Sequence, residues 1–430
     1  MQQLKALDKN IWVVYGATLS VGSAGGLALS VLALHLHRHG FSEEDIGTLA
    51  GFFALGVALF ALPVGALIRR FSAKAVLCCS LLIYGAAVIA FPFSTHSIWW
   101  ASLLRVFDGA ASAGIWVGCE TVILARSQGS RKAQVTSLYA AAIALGYMCG
   151  PLLSRIVVAF HSMDAAFFTA GLISLATALA LFVLLGGESD QQLTPSGEGS
   201  ELSDVPASQI RSRSVVLRRI KTSCFGNFAY GYFQSSVVLF LPLYLMASKE
   251  ITRDQTIIIP AFFAAGMLLC VTPLGRLGDR VGPLRLMRGL GVVGILTILG
   301  FIVLNDYVAM CVAVFVAGAT LASISPLSLA LQGTILRAGE LSRGNALYNG
   351  FYAMGMLVGP PIAGRIFHHW GGPMMLYHLA ALWTAFVLFA YFYRNDDPAR
   401  LRSRQPDLQD AQDVAMSSEL VRTEKRDAAA

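Results

Sequence analysis

Twelve long apolar runs set the strongest limit on what this chain can fold into. An α-helix needs about 20 apolar residues to cross the hydrocarbon core of a bilayer. Only 13% of the residues are charged, against roughly 25% in an ordinary soluble domain. The runs therefore predict an all-α membrane protein with twelve transmembrane helices. They lie at 11–34, 44–68, 74–93, 97–124, 133–157, 163–185, 216–246, 255–275, 285–304, 306–333, 344–367 and 372–394.

Two polar segments interrupt this pattern, a linker over 186–215 and a tail over 395–430. Both are rich in polar and charged residues and poor in apolar ones, a composition typical of disordered segments. The linker separates six runs from six. We therefore predict an N-terminal six-helix bundle over 1–185 and a C-terminal six-helix bundle over 216–394.

Lysine and arginine residues concentrate on one side of the predicted membrane. The four short connections after even-numbered runs hold twelve of them, whereas the opposite connections and the adjoining helix ends hold five. Because Lys and Arg accumulate in cytoplasmic loops, we expect the termini and the linker to be cytoplasmic and the chain to lie in the inner (cytoplasmic) membrane. This distribution accounts for the net charge of +7 without nucleic-acid binding.

Two short patterns occur once in each half. PVGALIRRFS (63–72) and PLGRLGDRVG (273–282) share P-x-G-x-L-x-x-R at an offset of 210 residues. GYMCGP (146–151) and GMLVGP (355–360) share G-x-x-x-G-P at an offset of 209 residues. Six helices in each half give both halves the same orientation, so we predict two parallel repeats. Transporters built from such repeats bind their substrate between the halves, near the membrane midplane.

These motifs resemble those of the major facilitator superfamily. Its signature loop, roughly G-x-x-x-D-R-x-G-R-R, matches the second half through Gly275, Asp279 and Arg280. The first half departs from the signature, because Arg69 stands in place of the aspartate and Ser72 in place of a glycine. The resemblance implies that the loop at Asp279 locks one closed state. The alternative is a basic loop that only sets the topology.

Two motifs inside predicted helices extend the resemblance to about residues 8–395. LLRVFDG (103–109) resembles the fourth-span motif R-x-x-Q-G, with Asp108 in place of the glutamine. The pattern over 146–151 resembles a fifth-span element that is typical of antiporters. Within the superfamily, RVFDGAASAGIWVGCE (105–120) is similar to the YcaD-type bacterial permeases. The resemblance implies the twelve-helix fold of the superfamily and a transport function.

The fourth run carries its polar side chains on one helical face. At 100° per residue, Arg105, Asp108, Trp116 and Glu120 lie within an arc of about 120°. A charge that faces lipid costs about 3 kcal/mol or more, so this face should point to protein or to a wet cavity. Arg105 and Asp108 are three residues apart and can form an ion pair. Glu120 lies about 18 Å from Asp108 along the helix axis, beyond the reach of Arg105.

We expect these three charges to couple transport to protons. A desolvated carboxyl group without a cation beside it takes up a proton readily. Glu120 is therefore the better candidate for the proton carrier, whereas Arg105 would hold Asp108 ionised. The alternatives are that Glu120 stays solvated near the cytoplasmic interface and that Arg105 and Asp108 form a purely structural pair.

The seventh run places Asn227, Tyr230 and Gln234 at positions i, i+3 and i+7, among aromatic neighbours. An apolar, aromatic cavity with few polar groups suits amphiphilic or drug-like solutes. We predict that these side chains, with Tyr15 and Trp116, line the substrate path; ordinary helix packing is the alternative. Further candidates are Thr18, Asn345, Tyr348, Asn349 and Tyr352.

Small residues and prolines of the fifth and eleventh runs are candidates for packing or gating. Small residues let helices approach closely, and proline kinks a helix. The sequence leaves open whether these positions form static contacts or a hinge. They are Gly146, Gly150, Pro151, Gly359 and Pro360.

No motif in the sequence indicates an enzyme, a cofactor or a metal site. The phosphate loop G-x-x-x-x-G-K-[ST] and H-E-x-x-H are absent. The histidines of HLHRHG (35–40) and His368-His369 lack other ligands at suitable spacing. The leading hypothesis is a monomeric secondary transporter that expels an amphiphilic small molecule across the lipid bilayer in exchange for protons. The alternatives are a proton-coupled importer of a small metabolite or organic anion, and a non-transporting membrane sensor.

Overall fold

A computed structural model describes residues 9–126, 132–186, 213–336 and 340–394. Every regular element within these ranges is a helix. The α-helices, in chain order, are α1 (Lys9–Arg38), α2 (Glu43–Phe71), α3 (Ala73–Ala90), α4 (Ile98–Arg126), α5 (Lys132–Phe160), α6 (Met163–Leu184), α7 (Arg213–Lys249), α8 (Arg253–Ile257), α9 (Ile259–Val281), α10 (Pro283–Val303), α11 (Tyr307–Ile335), α12 (Leu341–Trp370) and α13 (Gly372–Phe392).

The predicted all-α fold with twelve transmembrane helices is confirmed. Eleven described segments are long and apolar enough to cross a membrane, and each coincides with a predicted run. The short helix α8 and α9 together form one of them, Arg253–Val281. The twelfth, α12, has 30 residues but is less apolar. It packs against both α2 and α7, so protein rather than lipid covers much of its surface.

The predicted linker and tail lie largely outside the described residues, which omit 187–212 and 395–430. Helices α1 to α6 pack mainly against one another, as do α7 to α13. We call these two sets the N half and the C half. The ends that carry the α1–α2 and α7–α8 connections are called the predicted outer end, because the orientation in the membrane rests on the sequence.

Each half is held together by helix pairs that correspond between the two halves. In the N half α1 packs against α5 and α2 against α4; in the C half α7 packs against α12 and α9 against α11. Eight glycines of the N half have a glycine 209 or 210 residues later, and in five of these pairs the backbone of a neighbouring helix leaves little or no room for a Cβ atom at either position. The five pairs are Gly22 and Gly231, Gly56 and Gly266, Gly109 and Gly318, Gly146 and Gly355, and Gly150 and Gly359.

The distances show how little room these positions leave. A Cβ atom on Gly146 would lie 2.7 Å from the carbonyl oxygen of Leu19, and one on Gly359 would lie 2.7 Å from that of Tyr232. Contacts this short cannot be relieved by moving a side chain. The predicted close packing at these positions therefore has a direct geometric basis, and the sequence patterns identify only part of a longer series.

The halves meet through α2 and α12, α5 and α9, and α1 and α7. At the predicted outer end, α2 lies directly against α12, since a Cβ on Gly47 would collide with the carbonyl of Pro360 and one on Gly364 with the carbonyl of Glu43. At the opposite end Gly275 of α9 has open space around it. The described contacts therefore close the predicted outer end.

The repeat also bears on Ser72, one of the two residues that depart from the superfamily signature. Ser72 joins α2 to α3 with φ 90° and ψ 151°, and Gly282 joins α9 to α10 with φ 93° and ψ 130°. This region is open to glycine but strained for residues with a Cβ atom, at about 1–3 kcal/mol. The Ser72 hydroxyl accepts a hydrogen bond from the Ala75 amide, which offsets part of this cost.

We predict that Ser72→Gly stabilises the protein by about 1 kcal/mol, because it removes the strain and loses only a modest cap. Gly282→Ala is the matched control and should destabilise it by a similar amount. The measurement is the melting temperature of each purified variant in one detergent. Equal or lower stability of Ser72→Gly would show that the cap outweighs the strain.

Candidate functional site

A buried ion pair lies in the middle of α4. The Arg105 guanidinium donates to the Asp108 carboxylate, and both residues are only 8% exposed. The guanidinium carbon also lies 4.5 Å from the centre of the Phe53 ring of α2, a cation–π contact. Among the described residues, Arg105 Nε and Asp108 Oδ1 have no hydrogen-bond partner. The pair is thus sealed but incompletely satisfied, and its two charges depend on each other.

The polar face of α4 points into the bundle. On the opposite face, Gly114 and Gly118 pack against Ser80 and Leu77 of α3. The exposed apolar side chains Leu103 and Phe107 lie on that outward side as well. The burial of the ion pair therefore follows from how α4 is rotated against α3.

Two tyrosines surround the ion pair. A Cβ on Gly25 of α1 would lie 3.7 Å from the hydroxyl of Tyr84 and 3.8 Å from that of Tyr147, so the two hydroxyls converge beside α1. Both phenols interact electrostatically with Asp108. They extend the polar region from α4 to α3 and α5.

The C half supplies the other side of this region. The Tyr352 hydroxyl donates to Oε1 of Gln234 at 3.0 Å, and the rings of Tyr230 and Tyr352 lie 6.0 Å apart. Both tyrosines lie near Tyr147 of the N half. We call this set the central aromatic cluster; its members are Tyr84, Tyr147, Tyr230, Gln234 and Tyr352.

Two predicted path residues form hydrogen bonds between helices. Asn227 is buried; it donates to the carbonyl of Tyr348 at 2.9 Å and accepts from the Ser325 hydroxyl at 2.8 Å, which ties α7 to α11 and α12. Tyr15 is also buried and donates to the carbonyl of Val135 at 2.8 Å. Both side chains are committed to joining helices within one half.

Glu120 stands apart from the ion pair, as its spacing predicted. It is exposed, whereas Trp116, one turn earlier on α4, is half-buried. Tyr139 of α5 is close enough to interact electrostatically with Glu120. The carboxylate is about 18 Å from Asp108 along the helix axis. Glu120 is therefore exposed, whereas the ion pair is covered.

The loop that is predicted to lock one closed state lies at the end of α9. Asp279 and Arg280 are exposed and Gly275 is half-buried. The locking role of this loop stays a prediction.

Sequence reasoning missed Phe53, Tyr84 and Tyr147. Each stands in an apolar run that holds at least one further aromatic residue, so residue type gives no signal. Within the described residues, no group of three His, Cys, Asp or Glu side chains is arranged to hold a metal ion.

We predict that Arg105→Ala and Asp108→Ala each lower the free energy of unfolding by about 3–5 kcal/mol, because each leaves an unpaired buried charge. The double variant should lose clearly less than the sum of the two. Urea unfolding in detergent measures all four proteins of this cycle. The matched control is Arg365 with Glu44, an exposed pair that should couple by about 1 kcal/mol or less. Additive losses for Arg105 and Asp108 would contradict the pairing.

Comparison with known proteins shows which sequences this chain is similar to. A family model described as Major Facilitator Superfamily matches residues 14–244 and 223–424. The uncharacterized MFS-type transporter YfkF of Bacillus subtilis is 24% identical over 381 residues, 85% of this chain and 92% of the relative. The uncharacterized MFS-type transporter YcaD of Salmonella enteritidis is 23% identical over 377 residues, 86% of this chain and 92% of the relative.

A solved structure shares the fold at low sequence identity. A point mutant of the nucleoside transporter NupG superposes with a TM-score of 0.75 at 12% identity, covering 89% of this chain and 98% of that one. The predicted resemblance to YcaD-type permeases is confirmed. With a sequence match that spans both halves and a shared fold, this chain belongs to the Major Facilitator Superfamily.

Proposed function

We propose that this secondary transporter exports an amphiphilic or drug-like compound in exchange for protons, and that α4 carries the coupling. The observation that supports the proposal most is an asymmetry between the halves. The offset of 209 residues aligns Gly109 of α4 with Gly318 of α11. At that offset Arg105, Asp108 and Glu120 correspond to the apolar residues Val314, Ala317 and Leu329.

This asymmetry distinguishes the residues that pack the helices together from the residues that carry charge. Helix α11 forms the same close contact with α9 that α4 forms with α2, and it does so without charges. Charges inside a membrane protein are costly and are typical of substrate or proton pathways. The three charges of α4 are therefore not needed for packing, which favours a role in transport.

The geometry supports different roles for the two carboxylates. Asp108 is buried against Arg105, so a proton can reach it only if that pair opens. Glu120 is exposed and is not in ion-pair contact with Arg105. We assign proton uptake and release to Glu120, and we assign to the ion pair a role in coupling that depends on its opening.

Export of an amphiphile fits the centre better than import of an anion. Arg105, the cation that would attract an anionic solute, is already occupied by Asp108 and Phe53. The central aromatic cluster offers aromatic faces, three tyrosine hydroxyls at the interface of the halves and one amide. The resemblance of 146–151 to the antiporter element favours the same direction.

The test begins with a ligand. Amphiphilic aromatic compounds and hydrophilic metabolites are screened for those that raise the melting temperature of the purified protein, since a ligand that binds the folded state stabilises it. Each binder is then followed in proteoliposomes under an imposed pH gradient. Movement of the binder against the proton flow supports export; movement with it supports the importer. No solute movement under any ion gradient would favour a non-transporting sensor.

We predict that Glu120→Gln abolishes movement of the binder driven by the pH gradient but keeps gradient-free exchange, because the amide cannot carry a proton. Glu250→Gln is the matched control, since Glu250 is exposed at the predicted outer end, away from α4. A pH-sensitive dye inside the vesicles reports proton movement. Unchanged coupling in Glu120→Gln would remove this residue from the mechanism.

We also predict that Arg105→Lys lowers the transport rate about tenfold or more, because an ammonium group cannot keep both the planar contact with Phe53 and the bond to Asp108. Initial rates in proteoliposomes measure the effect, at equal amounts of folded protein. A normal rate would mean that charge alone is required at this position.

A further inference from the structure

The predicted outer end carries a cluster of charged and titratable side chains that joins the two halves. Glu43 and Glu44 begin α2, and Arg365, His368 and His369 lie near the end of α12. His37, near the end of α1, adds a third histidine. We call these six residues the outer cluster. It lies far from Glu120, which is near the other end of α4.

Each glutamate contacts partners on α12. Glu43 lies 3.1 Å from Nδ1 of His368 and 3.8 Å from Nδ1 of His37. Glu44 accepts from Nε of Arg365 at 2.9 Å and lies 3.9 Å from Nε2 of His369. The α2–α12 connections of this cluster therefore bridge the N half and the C half.

The dipoles of the two helices favour the same arrangement of charges. The start of α2 is the positive end of its dipole and the end of α12 the negative end of its own, so acids suit the first and cations the second. Directly behind the cluster, Gly47 and Gly364 bring the two backbones into contact. Any separation of the halves at this end must break the ion pairs and this contact together.

The histidines are accessible to protons. Their side chains are between 44% and 55% exposed. Histidine is the side chain whose charge ordinarily changes within the physiological pH range. Each histidine of the cluster, when protonated, adds a positive charge beside a glutamate. When the histidines are neutral, the pair of Arg365 with Glu44 remains as the ion pair of the cluster.

Neighbouring charged groups are engaged elsewhere. Asp45 of α2 accepts from the amide and hydroxyl of Ser42 in a capping box. On α1, His39 is held by the carbonyl of His35 at 2.8 Å, and Arg38 is exposed to solvent. The ring of His35 is buried and lies 3.2 Å from Asp164 of α6, inside the N half. The outer cluster is thus one titratable group that lies between the halves at this end.

We propose that the outer cluster is a proton-binding site that closes the predicted outer end: protonation of His37, His368 and His369 strengthens their attraction to Glu43 and Glu44 and holds α2 against α12. Protons from the outer medium then favour the state closed on that side. In an exporter, this would return the emptied carrier to the state that faces the opposite side. The site is independent of Glu120, so either role can fail without the other.

The test follows the distance between the halves in the full chain. Spin labels are attached at Thr95→Cys and Ser248→Cys, in the α3–α4 connection and at the end of α7. The background is Cys79→Ser, because Cys79 is exposed whereas the other six cysteines are buried or half-buried. The protein is studied in lipid nanodiscs, with EDTA present to remove metal ions.

We expect the ratio of closed to open populations to rise about fivefold from pH 8 to pH 5.5. A variant with Gln at positions 37, 368 and 369 should show no rise, and His368→Arg should be more closed at both pH values. His96→Gln is the matched control, because His96 is exposed at the same end and lies outside the cluster; it should behave like the wild type.

Three results would overturn the proposal. The first is an equal ratio at both pH values in the wild type. The second is a pH response that persists in the triple Gln variant, which would move the titration to another group such as His35 with Asp164. The third is closure at pH 8 that appears only when EDTA is left out, which would make the cluster a metal site. Melting curves show that each variant is folded, and His368→Gln and His369→Gln alone provide milder versions.

Discussion

The architecture depends on close contact between helix backbones at glycine. Inside a bilayer the hydrophobic effect does not press helices together, because lipid tails are as apolar as the side chains. Association must come from close packing, and glycine gives the closest approach. Gly56 and Gly109 lock α2 to α4, while Gly146 and Gly150 lock α1 to α5. The same contacts recur in the C half, so each half is a stiff unit that positions its side chains firmly.

On this symmetric scaffold the charges are asymmetric. Helices α4 and α11 correspond in register and in packing, yet only α4 carries Arg105, Asp108 and Glu120. The burial of Arg105 beside Asp108 is tolerable because each charge neutralises the other in a medium that solvates neither. The two halves share one structural frame, and the three charges lie on only one of the two corresponding helices. Function is therefore more readily located by comparing the halves than by inspecting either alone.

Much of the fold could be predicted from the sequence because membrane-spanning helices can be recognised by their length and apolar composition. The repeat was visible at Gly146 and Gly355, where flanking residues also match. It also recurs around Gly56 and Gly266, where FFALG (52–56) and FFAAG (262–266) agree at four of five positions, so this part of the repeat could also have been found from the sequence. The partners of a helix face depend on how neighbours are arranged, which no single helix encodes. For this reason the pairing of Arg105 with Asp108 followed from spacing, whereas its contact with Phe53 did not.

The two kinds of contact in this molecule differ in a way that bears on movement. Within a half, glycines of paired helices fit into each other's backbones over several turns, so relative sliding is blocked. Between the halves at the predicted outer end, the contact of Gly47 with Pro360 is short and is flanked by exposed ionic groups such as Glu44 and Arg365. Exposed ion pairs are weak and sensitive to pH and salt. Rocking of one bundle against the other requires rigid halves and a weak interface between them. The contact at the predicted outer end is both weak and titratable.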